Sequence, residues 1–153
     1  MSIIYETGDL LEANADIICQ QVNCKGKMGA GLAKQIREKY PIVHQRYVKL
    51  CDRVSPKALL GAVDFEETDS YIIANCFAQL GYARSGLQTD YNALKICFES
   101  VKKFAKEHGM SDIALPYKIG CGLAGGDWNI VKELIEDVFE CADLSVKIVR
   151  REE

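Results

Sequence analysis

The sequence predicts a single α/β domain, and three observations lead there. Short β-branched runs alternate with longer stretches of helical period, the pattern of a sheet with helices packed on it. The chain has 153 residues, a length that suits one compact domain, and no internal repeat, low-complexity tract or linker divides residues 1–153. Its composition, 48% hydrophobic with 27% charged and 8% aromatic residues, is ordinary globular usage.

Strands are expected at 2–5, 17–22, 60–65, 71–76, 112–115 and 144–149. The 71–76 run is apolar on both faces, which places it in the centre of the sheet. Residues 144–149 alternate at period two and so read as a strand with one exposed face, near an edge. A helix is expected to start with Thr89 as its cap, with Tyr91, Leu94, Phe98, Val101 and Ala105 on one stripe before Gly109. Another starts with Asp127 as cap and buries Val131, Leu134, Ile135, Val138 and Phe139. Leu32, Ile36 and Tyr40 mark a third, stopped by Pro41, which opens a further helix to about residue 52.

Net charge is −3, so no overall positive field holds a nucleic-acid backbone. No apolar run reaches the roughly 18 to 20 residues of a membrane span, and the first residues lack a signal-peptide pattern. A cytoplasmic protein with no membrane partner is expected. The seven cysteines at 19, 24, 51, 76, 97, 121 and 141 include no C-x-x-C pair, and His44 and His108 lie near none of them in sequence. Neither a disulfide framework nor a metal site is expected, and no cofactor; most of the thiols read as small buried hydrophobes. Cys24 beside a lysine and Cys121 between glycines are weighed as nucleophiles, but no histidine base lies in the motifs.

Two glycine-rich loops carry the chemistry. Val22-Asn23-Cys24-Lys25-Gly26-Lys27-Met28-Gly29-Ala30-Gly31-Leu32-Ala33 joins an apolar strand to a helix through three glycines. Glycines let backbone approach a ligand closely, and free amides at a helix start attract phosphate oxygens. The loop matches neither the dinucleotide fingerprint nor the P-loop. Pro116-Tyr117-Lys118-Ile119-Gly120-Cys121-Gly122-Leu123-Ala124-Gly125-Gly126-Asp127-Trp128 repeats the design of strand, loop and capped helix, with four glycines in the seven residues 120–126. Two such loops at the carboxyl ends of neighbouring strands can grip a diphosphate from both sides. Lys25, Lys27 and Lys118 either add charge there or are solvated.

With Gly8-Asp9-Leu10 ahead of them, these motifs resemble the macrodomain family, most closely the branch of ADP-ribose 1''-phosphate phosphatases and terminal ADP-ribose glycohydrolases. The resemblance implies a three-layer α/β/α sandwich on a mixed central sheet of about six strands. It also implies ADP-ribose or an ADP-ribosylated macromolecule as partner, with nucleic acid only as an ADP-ribosylated substrate. Asp9 would accept from the adenine amino group, with Leu10 beside it. Amides of Met28, Gly29, Ala30, Gly31, Leu32 and Ala33 would hold the diphosphate, and those of Gly120, Cys121, Gly122, Leu123, Ala124, Gly125 and Gly126 would close over it. Asn23 would lie near the distal ribose, and Phe77 or Tyr82, in a loop after the central strand, would flank a ribose or the adenine.

Each position also has a structural reading. Asp9 can cap a turn, Asn23 can bond local backbone, Asp127 can be only a helix cap, and Trp128 reads as a packing anchor. Asp127 and Asn23 are the catalytic candidates. The family's other catalytic groups are missing: Gln79 stands where glycohydrolases place a lysine, Ala124 where they place an aspartate, and Gln20 where phosphatases place a histidine. The reading is therefore an ADP-ribose binder with a slow phosphatase or ADP-ribosyl hydrolase activity, or a non-catalytic reader.

Overall fold

A computed structural model describes residues 2–83, 86–140 and 143–152. In chain order the strands are β1 (Ser2–Thr7), β2 (Ile17–Asn23), β3 (Val63–Glu67), β4 (Ile72–Gln79), β5 (Asp112–Pro116) and β6 (Ser145–Arg150). The helices are α1 (Gly31–Lys39), α2 (Pro41–Arg53), the single turn α3 (Pro56–Leu59), α4 (Tyr91–Glu107) and α5 (Trp128–Phe139), with a 3-10 turn at Leu10–Glu12. The six strands form one sheet in the order β1-β6-β5-β2-β4-β3. All neighbours are parallel except β3, which runs antiparallel to β4.

Alternation along the strands divides the core into two layers. Ile17, Cys19, Ile113 and Leu115 face α4 and α5, where they meet Leu94, Phe98, Ile135 and Phe139. Ile18, Ile73 and Ala114 face the opposite way, against Ile36 of α1 and Val43 of α2. Helices on both faces cover the middle of a largely parallel sheet, the predicted three-layer sandwich, while Ile4 and Tyr5 of the edge strand β1 stay exposed.

The helix predictions hold, with one shift of cap. Asp90, not Thr89, caps α4, its carboxylate accepting from the Ala93 amide at 2.9 Å. Thr89 is buried instead. Pro41 at N1 separates α1 from α2 as expected. β6 lies near an edge as expected, one strand in, with β1 on its outer side. One strand position differs from expectation: β4 lies between β2 and β3 rather than at the centre. β4 is buried on both faces along most of its length, so its apolar run reports the layers above and below the strand and not its lateral neighbours.

β2 and β5 are adjacent parallel strands. From β2 the chain leaves through α1, α2 and α3 to β3 and returns in β4 on one side, while from β5 it crosses through α5 to β6 on the other. Their carboxyl ends therefore open at a topological switch point, where the two departing connections leave a crevice. Both glycine-rich loops start there.

Candidate functional site

Asn23 ends β2 and organises the first loop. Its Nδ2 donates to the Lys27 carbonyl at 2.8 Å, and its Oδ1 accepts from the Lys25 and Lys27 amides at 3.0 and 3.3 Å. The Tyr47 hydroxyl, from α2, reaches the Asn23 backbone oxygen at 2.6 Å and Oδ1 at 2.9 Å. Met28 turns inward and packs beside Tyr47 and Phe77. Anchored at both points, the chain delivers Gly29, Ala30 and Gly31 to the surface.

The start of α1 is left open. Its cap residue, Ala30, offers no side-chain bond, and the first turn holds no acidic residue. By contrast α4 and α5 are closed by Asp90 and Asp127. The amides of Ala30, Gly31, Leu32 and Ala33 thus point out of an uncapped helix with its partial positive end toward the crevice.

The second loop closes on itself. The Gly126 amide donates to the Gly120 carbonyl at 2.9 Å and the Gly125 amide to the Gly122 carbonyl at 3.0 Å. Gly120 and Gly125 both have φ near +75°, and a Cβ on Gly125 would stand 2.6 Å from the Gly86 carbonyl oxygen. The amides of Gly122, Leu123 and Ala124 have no acceptor among the described residues.

Two cavities meet between the loops. One, of about 330 Å³, is lined by Asn23, Ala30 to Ala33, Gln79, Tyr82, Lys118 to Gly120 and Gly122 to Ala124. The other, of about 790 Å³, takes in Gly8, Asp9, Leu10, Gln35, Lys39 and Arg151. Leu32, Pro116 and Tyr117 line both. The result is a bent trough about the size of a dinucleotide.

Asp9, Leu10, Asn23, Ala30 to Ala33, Gly120 and Gly122 to Ala124 line this trough, whereas Met28, Gly29, Phe77, Cys121, Gly125, Gly126 and Asp127 line neither cavity. The amides of Cys121, Gly125 and Gly126, read as closing over a diphosphate, instead donate to carbonyls within the loop, at Lys118, Gly122 and Gly120. Phe77 lies inside β4, not in the loop after it, and is wholly buried with its ring stacked 5.9 Å from that of Tyr47. Its side chain packs the core and flanks no ligand. Tyr82 does line the smaller cavity. Asp127 caps α5 through the Asn129 amide at 2.9 Å and lines neither cavity. Asn23 reaches the trough wall, but its amide is already engaged with Lys25, Lys27 and Tyr47, so it orders the loop. Asp9 lines the larger cavity and caps the 3-10 turn through the Leu11 amide at 3.0 Å. Trp128 packs against Tyr117 at 5.1 Å.

Neither thiol weighed as a nucleophile is activated. Burial, with the neighbouring Cys51 and Cys97, pushes Cys24 up to about 11. Burial and the Asp127 carboxylate push Cys121 up to about 11 despite Lys118. Both are protonated near neutrality and poor nucleophiles. Cys141 lies outside the described residues. Among the described residues no group of His, Cys, Asp or Glu can hold a metal ion, and no helix is long and apolar enough to cross a membrane.

Sequence reasoning missed Tyr47, Gln21, Thr89 and Tyr117. The signal for one was present: Gln20-Gln21 is a polar pair inside an otherwise apolar strand, and buried polar groups need partners.

Fold and site together define an α/β domain with two sets of open backbone amides at a sheet switch point, an arrangement that suits an anion. The sequence profile of the Macro domain matches residues 19–135, and the chain belongs to the macrodomain family. It is similar to a Thermus aquaticus DNA ADP-ribosyl glycohydrolase, 44% identical over 142 residues, which cover 91% of this chain and 38% of that protein. The human ADP-ribose glycohydrolase OARD1 is 26% identical, with 95% of this chain and 90% of that protein covered. Among solved structures, the macrodomain of Mycobacterium tuberculosis DarG superposes with a TM-score of 0.81 at 26% identity, covering 99% of this chain and 98% of that one. The chain spans only about two fifths of the length of the DNA ADP-ribosyl glycohydrolases it matches, 38% to 39%.

Proposed function

We propose that this domain binds ADP-ribose, free or as the modification on a macromolecule. The observation that carries the reading is the uncapped start of α1 facing the unpaired amides of the 120–126 loop across one cavity. Amides from two sides suit a diphosphate, and a helix start adds about 0.3–1 kcal/mol for each anionic charge. The larger cavity, with Asp9 at its wall, has room for an adenosine. The smaller one, closed by Asn23, Gln79 and Tyr82, suits the distal ribose. Relatives named for glycohydrolysis of ADP-ribose and of ADP-ribosylated DNA support the same ligand. The six described cysteines are free thiols, which agrees with a reducing, cytoplasmic setting.

Hydrolysis at the distal ribose is the second reading, favoured by those same names and by a relative named ADP-ribose 1''-phosphate phosphatase. Neither a carboxylate nor a histidine lines the smaller cavity among the described residues. Catalysis there would rest on oriented amides and on the loop that Asn23 orders, without a side-chain acid or base, and would be slow.

Calorimetry with ADP-ribose, AMP and NAD tests the binding reading. ADP-ribose is expected to bind more tightly than AMP, because only it fills both cavities. Equal affinity would point to a general adenylate site, and no binding at millimolar ligand would end the proposal. Product formation from ADP-ribose 1''-phosphate or an ADP-ribosylated oligonucleotide separates an enzyme from a reader.

A further inference from the structure

A file of polar side chains, buried at Thr89 and part-buried at Gln21 and Gln79, runs to the second loop. Gln79 Nε2 donates to the Gly81 carbonyl at 2.7 Å, so its Oε1 is the acceptor for Gln21 Nε2 at 2.9 Å. Gln21 Nε2 also donates to Thr89 Oγ1 at 2.9 Å. The Thr89 hydroxyl then gives its one proton to the Gly120 carbonyl at 2.6 Å. Backbone carbonyls at the two ends thus set the direction of every bond between them.

The same segment grips the loop a second time. The amides of Gln88 and Thr89 donate to the Ala124 carbonyl at 2.7 and 3.2 Å, so residues 88 and 89 hold the loop at both Gly120 and Ala124. The Gly120 carbonyl, which already accepts the Gly126 amide, is the point where the loop closes, and the Thr89 hydroxyl pins it. Gln21 Oε1 is left buried without a partner, beside Gly120, where a Cβ would stand 2.7 Å from it. An unpaired buried acceptor is costly, and apolar filling of this space would hold a core as well. The polar pair therefore has another use.

We propose that Thr89, oriented by Gln21, is a positioning residue: it holds the 120–126 loop with its free amides aimed into the cavity before the ligand arrives. The inference rests on the ADP-ribose reading and adds how the site is preorganised.

Thr89→Val keeps the shape and removes the hydroxyl, while Thr89→Ser keeps the hydroxyl. Each is compared with the parent protein by calorimetry with ADP-ribose and AMP, and by hydrogen exchange of the loop amides without ligand. Thr89→Val is expected to lose about tenfold in ADP-ribose affinity, the scale of one hydrogen bond. It should keep its AMP affinity, because AMP fills only the larger cavity, and exchange the loop amides faster. Thr89→Ser should restore both. Unchanged affinity and exchange in Thr89→Val, or an AMP loss in proportion, overturns the proposal. Should Thr89→Val not fold, Gln21→Met removes the donor to Thr89 and is read in the same way. If the parent protein binds no ADP-ribose, the functional reading fails, while the exchange comparison still decides whether Thr89 positions the loop.

Discussion

The Tyr47 hydroxyl lies 2.6 Å from the backbone oxygen of Asn23 and 2.9 Å from its side-chain Oδ1, so a buried phenol on α2 holds the residue that shapes the first loop. Tyr47→Phe leaves both oxygens without that donor. It is expected to cost about 1–2 kcal/mol of stability in urea denaturation and to weaken ADP-ribose binding, with the sheet unchanged by circular dichroism.

Gly125 admits no side chain. Its φ of +75° and the Gly86 carbonyl, 2.6 Å from where a Cβ would stand, mean that Gly125→Ala must shift backbone. A loss of about 1–3 kcal/mol is expected, together with a drop in ADP-ribose affinity; an alanine variant with parental stability and affinity would contradict this packing.

Asp127 offers a direct test of cap against catalyst. Because its carboxylate serves the Asn129 amide outside both cavities, Asp127→Ala should cost about 1 kcal/mol of stability and leave ADP-ribose affinity and any turnover intact. Asp127→Asn, a good cap, should restore the stability. Loss of turnover in both variants would return Asp127 to the active site.

Glu66 predicts a pH dependence. Burial, and next the neighbouring Asp64 carboxylate, raise its pKa above the ordinary 4.5 although Arg46 lies 3.1 Å away. The folded chain thus holds this proton more tightly than the unfolded one. The stabilising contribution is full below pH 4.5 and is lost as pH rises through the raised folded value. Glu66→Gln should flatten that part of the stability profile, measured by urea denaturation across pH, and a profile identical to the parent's would contradict the assignment.

Asp9 lies at the wall of the larger cavity. Asp9→Ala is expected to weaken AMP and ADP-ribose alike, by about the 1 kcal/mol of one hydrogen bond, while also loosening the 3-10 turn it caps. Equal binding before and after substitution would remove Asp9 from the ligand site.

Much of this domain was legible in the sequence, because its signals are local. Period-two and period-3.6 patterns marked β6, α4 and α5, Pro41 divided α1 from α2, and glycine clusters marked both loops, since each depends on residues close together in the chain. What the sequence by itself determined was therefore the class of fold and the place of the two loops at strand ends. The tertiary structure alone decided lateral strand order, which put β1 outside β6. It also turned Phe77 inward onto Tyr47, made Asp127 a cap, and joined Gln21, Thr89 and Gly120, residues up to 99 positions apart, into one hydrogen-bonded file. Such pairings are set by which elements meet across the sheet, and a buried polar group takes its partner from that meeting and not from its sequence neighbours.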